Sequence, residues 1–227
     1  MNRKPIAVAL DGPSGAGKSS VARAVARRLH IQYVDTGAIY RTVALAALRA
    51  GADVGDAAAI AALLPALALS VTYDAEGAQH MLLDGADVTG EIRTPEISAL
   101  ASAVAAHGAV RNFLLETQRA LAREHDVIMD GRDIGTVVLP DADVKIFLTA
   151  SAEARAQRRF LELRQKGIET TPEAVLRDQA QRDRQDSARE TAPLRQAEDA
   201  VRLDTSALDF EGSVAAVCGV IREKTGL

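Results

Sequence analysis

Apolar residues follow two rhythms along this chain. Short, largely apolar runs at Ile6–Leu10, Ile31–Val34, Val127–Met129, Val144–Leu148 and Val201–Leu203, interrupted only by Gln32, Lys145 and Arg202, have the length of buried strands. Between them the apolar positions widen to a helical period, predicting helices over Ser19–Leu29, Pro95–Ala106 and Val110–Arg123. Alternating strand and helix signals predict an α/β fold, a parallel sheet with helices on both faces. Ligands of such folds lie at the carboxyl ends of the strands.

Two stretches break the alternation. From Leu69 to Val88 the pattern turns to short β runs, Leu69–Tyr73 and His80–Leu83, separated by Asp74–Gly77, with a second break at Asp84-Gly85. This predicts a small antiparallel insertion. From Ser151 to Gln196 the chain becomes arginine-rich and helical. A helix over Ala152–Lys166 should end at Gly167. Thr171, followed by Pro172 at the first helical position, should open another toward Ala188, and Pro193 should close the segment. No internal repeat is present, and the one biased tract is the alanine-rich Ala57–Ala68.

The chemistry starts in the turn after the first strand run. Residues 12–19, Gly-Pro-Ser-Gly-Ala-Gly-Lys-Ser, match the G-x-x-x-x-G-K-[ST] phosphate-binding loop. Gly12, Gly15 and Gly17 let the backbone turn sharply and bring successive N–H groups close to a polyphosphate, which makes Gly12, Pro13, Ser14, Gly15, Ala16, Gly17, Lys18, Ser19 and Ser20 the candidate nucleotide-binding loop. Lys18 would reach the β- and γ-phosphates, and the hydroxyl of Ser19 or Ser20 would hold Mg²⁺. The helix that follows adds its own attraction for anions. This strand–loop–helix setting predicts binding of a nucleoside triphosphate.

Three further constellations narrow the reaction. Asp35-Thr-Gly-Ala-Ile-Tyr-Arg41 reads as a tight Thr-Gly turn leading into a helix that presents Tyr40 and Arg41 to an anionic acceptor. Asp130-Gly-Arg-Asp133 ends an apolar strand, which places Asp130 where a Walker-B carboxylate binds magnesium. Arg182, Asp186 and Arg189, spaced i, i+4, i+7, fall on one helix face. With Arg155, Arg158 and Arg159 on the preceding helix they read as a cationic lid, neutralising charge on the transferring group and excluding water. No H-R-D catalytic loop and no evident general base appear, as expected for an acceptor that is already an anion. The guanine-reading N-K-x-D of switch GTPases is also missing.

Composition removes other classes. A formal charge of −4 argues against a dedicated nucleic-acid binder, yet the 27 basic residues are overwhelmingly arginine, the side chain suited to forked phosphate contacts. Cys218 is the single cysteine, which excludes an intrachain disulfide and a CxxC metal site, and its neighbours read as a buried helix face. The four histidines lie in no ligand spacing. No apolar run approaches the ~20 residues of a membrane span and no signal peptide opens the chain, so a cytoplasmic protein is expected, with no membrane or nucleic-acid partner.

Taken together, these residues resemble the bacterial cytidylate kinases essentially from end to end. The likeness runs through Asp11–Lys18, Asp35–Arg41, Gly90–Thr94, Asp130–Val138, Val144–Leu148 and Arg182–Asp186. It implies a P-loop NTPase three-layer fold with a five-stranded parallel sheet, a β-rich monophosphate-binding insertion and a helical lid. The core would be 1–35, 126–150 and 197–227. The monophosphate-binding region would be 36–125, carrying the insertion at about 69–88, and the lid 151–196. The implied activity is Mg²⁺-dependent transfer of the γ-phosphate of ATP to CMP or dCMP by a monomer, with Lys18, Arg132, Arg155, Arg159 and Arg189 around the moving group.

The resemblance also distributes the acceptor. It implies that Arg41, Arg132 and Arg189 hold the CMP phosphate, that Ser102, Arg111 and Asp133 read the cytosine edge, and that Tyr40, Arg182 and Asp186 surround the sugar. Thr36 stands where many members have serine, and Ser19-Ser20 replaces a common Gly-Thr, leaving either serine as the metal ligand. Cytosine offers an amino donor and two acceptors, which a carboxylate with two donors satisfies, whereas uracil would leave buried polar groups unpaired. Two other readings remain at this point: a kinase for another small anionic acceptor such as UMP or shikimate, or a nucleotide switch without useful turnover. The dense acceptor-side arginines argue against the switch.

Overall fold

The computed structural model describes residues 3–165 and 167–227. Each apolar run becomes a strand: β1 (Ala7–Asp11), β2 (Gln32–Asp35), β6 (Val127–Gly131), β7 (Val144–Thr149) and β8 (Val201–Asp204). They form one parallel sheet in the order β2-β6-β1-β7-β8. Side chains alternate across it. Val8 and Leu10 of β1 join Ile128, Ile146 and Leu148 against α1 (Lys18–Leu29) and α8 (Phe210–Thr225), whose Cys218 is buried there. Ala7 and Ala9 face the other way, into a second core with Val127, Met129 and the apolar side of α2 (Thr36–Arg49). Each fully buried Leu or Ile in these layers stabilises the fold by about 1.5–3 kcal/mol.

Between β2 and β6 lies the excursion that builds one wall of the site. Asp56 caps α3 (Ala57–Leu63), so the alanine-rich tract is helical, followed by a 3-10 turn at Leu64–Ala66. Strands β3 (Leu69–Tyr73), β4 (Gln79–Leu83) and β5 (Ala86–Asp87) make a separate antiparallel sheet, the expected insertion. A 3-10 turn (Glu91–Arg93), α4 (Pro95–Val104) and α5 (Gly108–Glu124) return the chain to the core. The arginine-rich segment forms α6 (Ala152–Gln165) and α7 (Pro172–Ala188); Thr171 caps α7 through the Ala174 amide. The predicted end of α6 at Lys166 lies outside the described residues.

Three expectations need correction, and one element was not expected. The core strands run one or two residues past their last apolar side chain, because pairing continues through Asp11↔Gly131 and Asp35↔Asp130. Thr36-Gly37 is not a turn: α2 starts at Thr36 directly after the strand, since the Asp35 carboxylate accepts from the Ala38 amide (2.8 Å) and caps the helix. Arg189 lies just beyond α7, where ψ rises to 136°. After Gly131 the chain tightens into a π-helical turn, Ile134–Val138, which the sequence pattern did not announce.

Candidate active site

The loop after β1 is shaped by its glycines. Gly12 has φ 151°, and a Cβ there would overlap the Leu148 carbonyl oxygen of β7. The neighbouring strand can then approach the loop backbone directly. Lys18 is buried at the start of α1, and its Nζ donates to the Pro13 carbonyl (2.8 Å). Burial, then the nearby Arg132 charge, pushes its pKa well below the usual lysine range. A triphosphate seated in the loop would offset both effects.

Helices α6 and α7 clasp the loop from outside. The Ser14 amide donates to Asp183 Oδ1 (3.1 Å), while Arg155 donates to the Ser14 carbonyl (2.7 Å) and to Asp183 Oδ2 (2.6 Å). Arg158 donates to Thr205 Oγ1 (3.1 Å) and to the Thr205 and Leu208 carbonyls, away from the loop's mouth. Arg155 and Arg158 therefore fasten the helices to the core.

The ends of β2 and β6 bring oxygen donors to the cavity. Asp130 accepts from the Ser19 hydroxyl (2.7 Å) and the Tyr33 hydroxyl (3.0 Å). Burial, reinforced by the Asp35 charge, raises its pKa. A buried carboxylate with a hydroxyl at its side suits a hard cation such as Mg²⁺, which commonly takes one or two carboxylates and completes its shell with water and substrate phosphate. Ser20 also lines the cavity, but it is Ser19 that meets Asp130. Among the described residues no cluster of three or more His, Cys, Asp or Glu could hold a metal.

On the acceptor side, carboxylates and guanidiniums are interleaved. Asp35 receives Arg41 (3.1 Å) from α2 and Arg93 (2.8 Å) from the 3-10 turn. Burial opposes its ionisation, but the two arginines win and hold its pKa low. Arg111 of α5 pairs with Asp133 (2.8 Å), and its guanidinium lies over the Tyr40 ring (5.5 Å to the centroid). Asp186 of α7 accepts from Arg132 Nε (2.7 Å) and from Arg189; burial again opposes, and the arginines hold it ionised. Burial, then Arg132, brings Arg182 down to about 10. Burial pushes Tyr40 up to about 12. Thr36 spends its proton on the Asp130 carbonyl (2.6 Å).

One cavity of about 470 Å³ collects nearly all the predicted residues. Ser14, Gly15, Gly17, Lys18, Ser19, Ser20 and Asp130 line one part. Thr36, Tyr40, Arg41, Ser102, Arg111, Arg132, Asp133, Arg182, Asp186 and Arg189 line the rest, with Arg159 at the α6 side. Gly12, Pro13 and Ala16 shape the loop without lining the cavity, and Arg155 is likewise outside it. Sequence reasoning missed Asp35 and Arg93 as site residues although both lie in motifs it singled out. Outside the cavity lining, it also gave no role to Asp11, whose carboxylate accepts from the Ile134 (2.9 Å) and Gly135 (2.8 Å) amides. Asp35 meets Arg41 within its own motif, but Arg93 lies 58 positions from Asp35 and Gly135 lies 124 from Asp11, so local pattern carries no signal for those two contacts.

Comparison with known proteins places the chain in a family. The cytidylate kinase family model matches residues 8–223. A cytidylate kinase of Geobacter sulfurreducens is 49% identical over 222 residues, spanning 98% of this chain and 95% of its own length. A cytidylate kinase of Rhodococcus jostii is 50% identical over 227 residues, 100% of this chain and 99% of its own. Among solved structures, an uncharacterised protein from Eubacterium ventriosum superposes with a TM-score of 0.51 at 12% identity, covering 95% of this chain and 98% of its own, a likeness of fold alone.

Proposed function

Since the chain belongs to the cytidylate kinase family and is a nucleoside monophosphate kinase, we propose that it transfers the γ-phosphate of ATP to CMP or dCMP, with Mg²⁺. The observation that carries this reading is the buried Arg111–Asp133 pair, sharing one cavity with the phosphate loop and a cluster of phosphate-suited arginines. A carboxylate and a guanidinium side by side complement the amino donor and the acceptors of cytosine, with Ser102 as a further donor. Arg41, Arg132 and Arg189 would hold the acceptor phosphate, while Tyr40, Arg182 and Asp186 would border the sugar.

Catalysis follows from positioning and charge neutralisation. The acceptor oxygen is already anionic, so no side chain has to remove a proton. Asp35 and Asp186 hold the arginines in place before substrate arrives, which lowers the entropy lost when they engage phosphate. Lys18, Arg132, Arg159 and Arg189 would surround the group in flight. Ser19 and Asp130 would hold Mg²⁺, which would neutralise part of the triphosphate charge. Residues 36–125 and 151–196 form the acceptor region and the lid in this reading, and the enzyme works as a cytoplasmic monomer. No helix among the described residues is long and apolar enough to cross a membrane.

ADP formation from ATP and Mg²⁺, with CMP, dCMP, UMP and AMP supplied separately, tests the reading. Turnover with CMP and dCMP far above the others is expected. Comparable turnover with UMP overturns the base assignment, and none with any of the four overturns the acceptor class.

A further inference from the structure

Asp133 owes its position to a device outside the cavity lining. It is followed at once by the π-helical turn Ile134–Val138, and its own carbonyl closes that turn by accepting from Val137 (2.9 Å) and Val138 (3.1 Å). The first amides of any helical turn lack partners within it. Here those of Ile134 and Gly135 donate to the two oxygens of Asp11, at 2.9 and 2.8 Å, across from β1. Asp11 is buried and immediately precedes Gly12 of the phosphate loop. At the other end, Arg119 of α5 donates to the Val137 (3.0 Å) and Val138 (2.9 Å) carbonyls. The same helix carries Arg111, the partner of Asp133.

We propose that Asp11 and Arg119 are positioning residues that clamp the π-helical turn at its two ends and thereby set Asp133 for base selection. The clamp joins three elements around one short turn: β1 with the phosphate loop, α5 with Arg111, and β6 with Asp133. It fixes the Asp133 backbone from both sides, so the carboxylate meets Arg111 at the angle that one base edge requires. Neither Asp11 nor Arg119 lines the cavity, so their effect passes through the turn. The proposal rests on the reading of Asp133 as part of the cytosine-recognising pair.

Asp11→Asn keeps the shape but turns an N–H toward an amide that needs an acceptor. Arg119→Met keeps the packed stem and removes both bonds to the turn. The readout is the ratio of kcat/KM for CMP to that for UMP, with KM for ATP measured alongside and Asp133→Asn as reference. The ratio should fall about tenfold in Asp11→Asn and about threefold in Arg119→Met, with KM for ATP unchanged. Loss of thermal stability with an unchanged ratio in either variant overturns the proposal. If Asp11→Asn yields no folded protein, Arg119→Met decides alone. An unchanged ratio in Asp133→Asn overturns the cytosine reading instead, and the clamp's role in selectivity with it.

Discussion

Breaking the Arg111–Asp133 pair one partner at a time probes the acceptor pocket most directly. The two groups meet at 2.8 Å with side chains 7% and 8% exposed. At a charge separation of about 4 Å and an effective dielectric near 20, their attraction is about 4 kcal/mol. Burial nonetheless keeps the Asp133 carboxyl above its ordinary range, with Arg111 only partly offsetting it. Desolvation therefore cancels much of the attraction, and the intact pair adds little net stability. Removing one charge is different, because the other stays buried. Asp133→Asn should lower the unfolding free energy by about 3 kcal/mol. Arg111→Met also forfeits the bond from Nε to the Ala105 carbonyl (2.7 Å) and should cost about 4 kcal/mol. The double variant leaves no lone charge and forfeits mainly the bond to the Ala105 carbonyl, so it should cost about 1–2 kcal/mol, several kcal/mol less than the two single losses added together. Urea unfolding of the four proteins at pH 7, followed by circular dichroism, reads the cycle. Each single variant should also lose about a hundredfold in kcat/KM for CMP. Losses that add to within about 0.5 kcal/mol, or Asp133→Asn with undiminished kcat/KM for CMP, would refute the reasoning.

Four other outcomes follow from particular contacts. Gly12→Ala forces a left-handed backbone and an overlap with the Leu148 carbonyl, so it should lower stability by about 3 kcal/mol or more and weaken ATP binding; an unchanged melting temperature would contradict this. Burial pushes the Asp11 carboxyl from 3.8 up to about 6. Between those values the folded chain holds a proton that the unfolded chain has released, so wild-type stability should fall by about 3 kcal/mol relative to Asp11→Asn as pH rises from about 4 to 7. Unfolding midpoints of both proteins across that window check it, and a flat difference rejects the buried charge. Arg155→Met releases Ser14 and Asp183, and steady-state kinetics should show KM for ATP rising about tenfold with KM for CMP unmoved. Lys18→Ala should abolish ADP formation while calorimetry still detects CMP binding; wild-type-like turnover in that variant would remove Lys18 from the reaction.

Local pattern was enough for the core architecture. Five largely apolar runs at Ile6–Leu10, Ile31–Val34, Val127–Met129, Val144–Leu148 and Val201–Leu203 became the five strands of the parallel sheet, because a strand covered by helices on both faces is apolar at most positions and only Gln32, Lys145 and Arg202 interrupt the runs. The phosphate loop was equally legible, since its geometry depends on glycines at fixed offsets within eight residues. The antiparallel insertion showed in the switch to short β runs broken by Asp74–Gly77 and Asp84-Gly85.

Tertiary structure decided which partner each charged side chain meets. Arg155, Arg158 and Arg159 look alike in sequence, yet Arg155 and Arg158 spend their donors on backbone carbonyls that fasten the helices, and only Arg159 lines the cavity. Ser19 and Ser20 were equivalent until the end of β6 placed Asp130 beside Ser19. The same holds for Asp11, a strand-end carboxylate whose partners are the amides of a π-helical turn more than a hundred residues on. Apolar periodicity is a local consequence of which face is buried, so it survives in the linear sequence. Charge pairing depends on which strand ends the sheet order brings side by side, and that order is set only when the whole core packs.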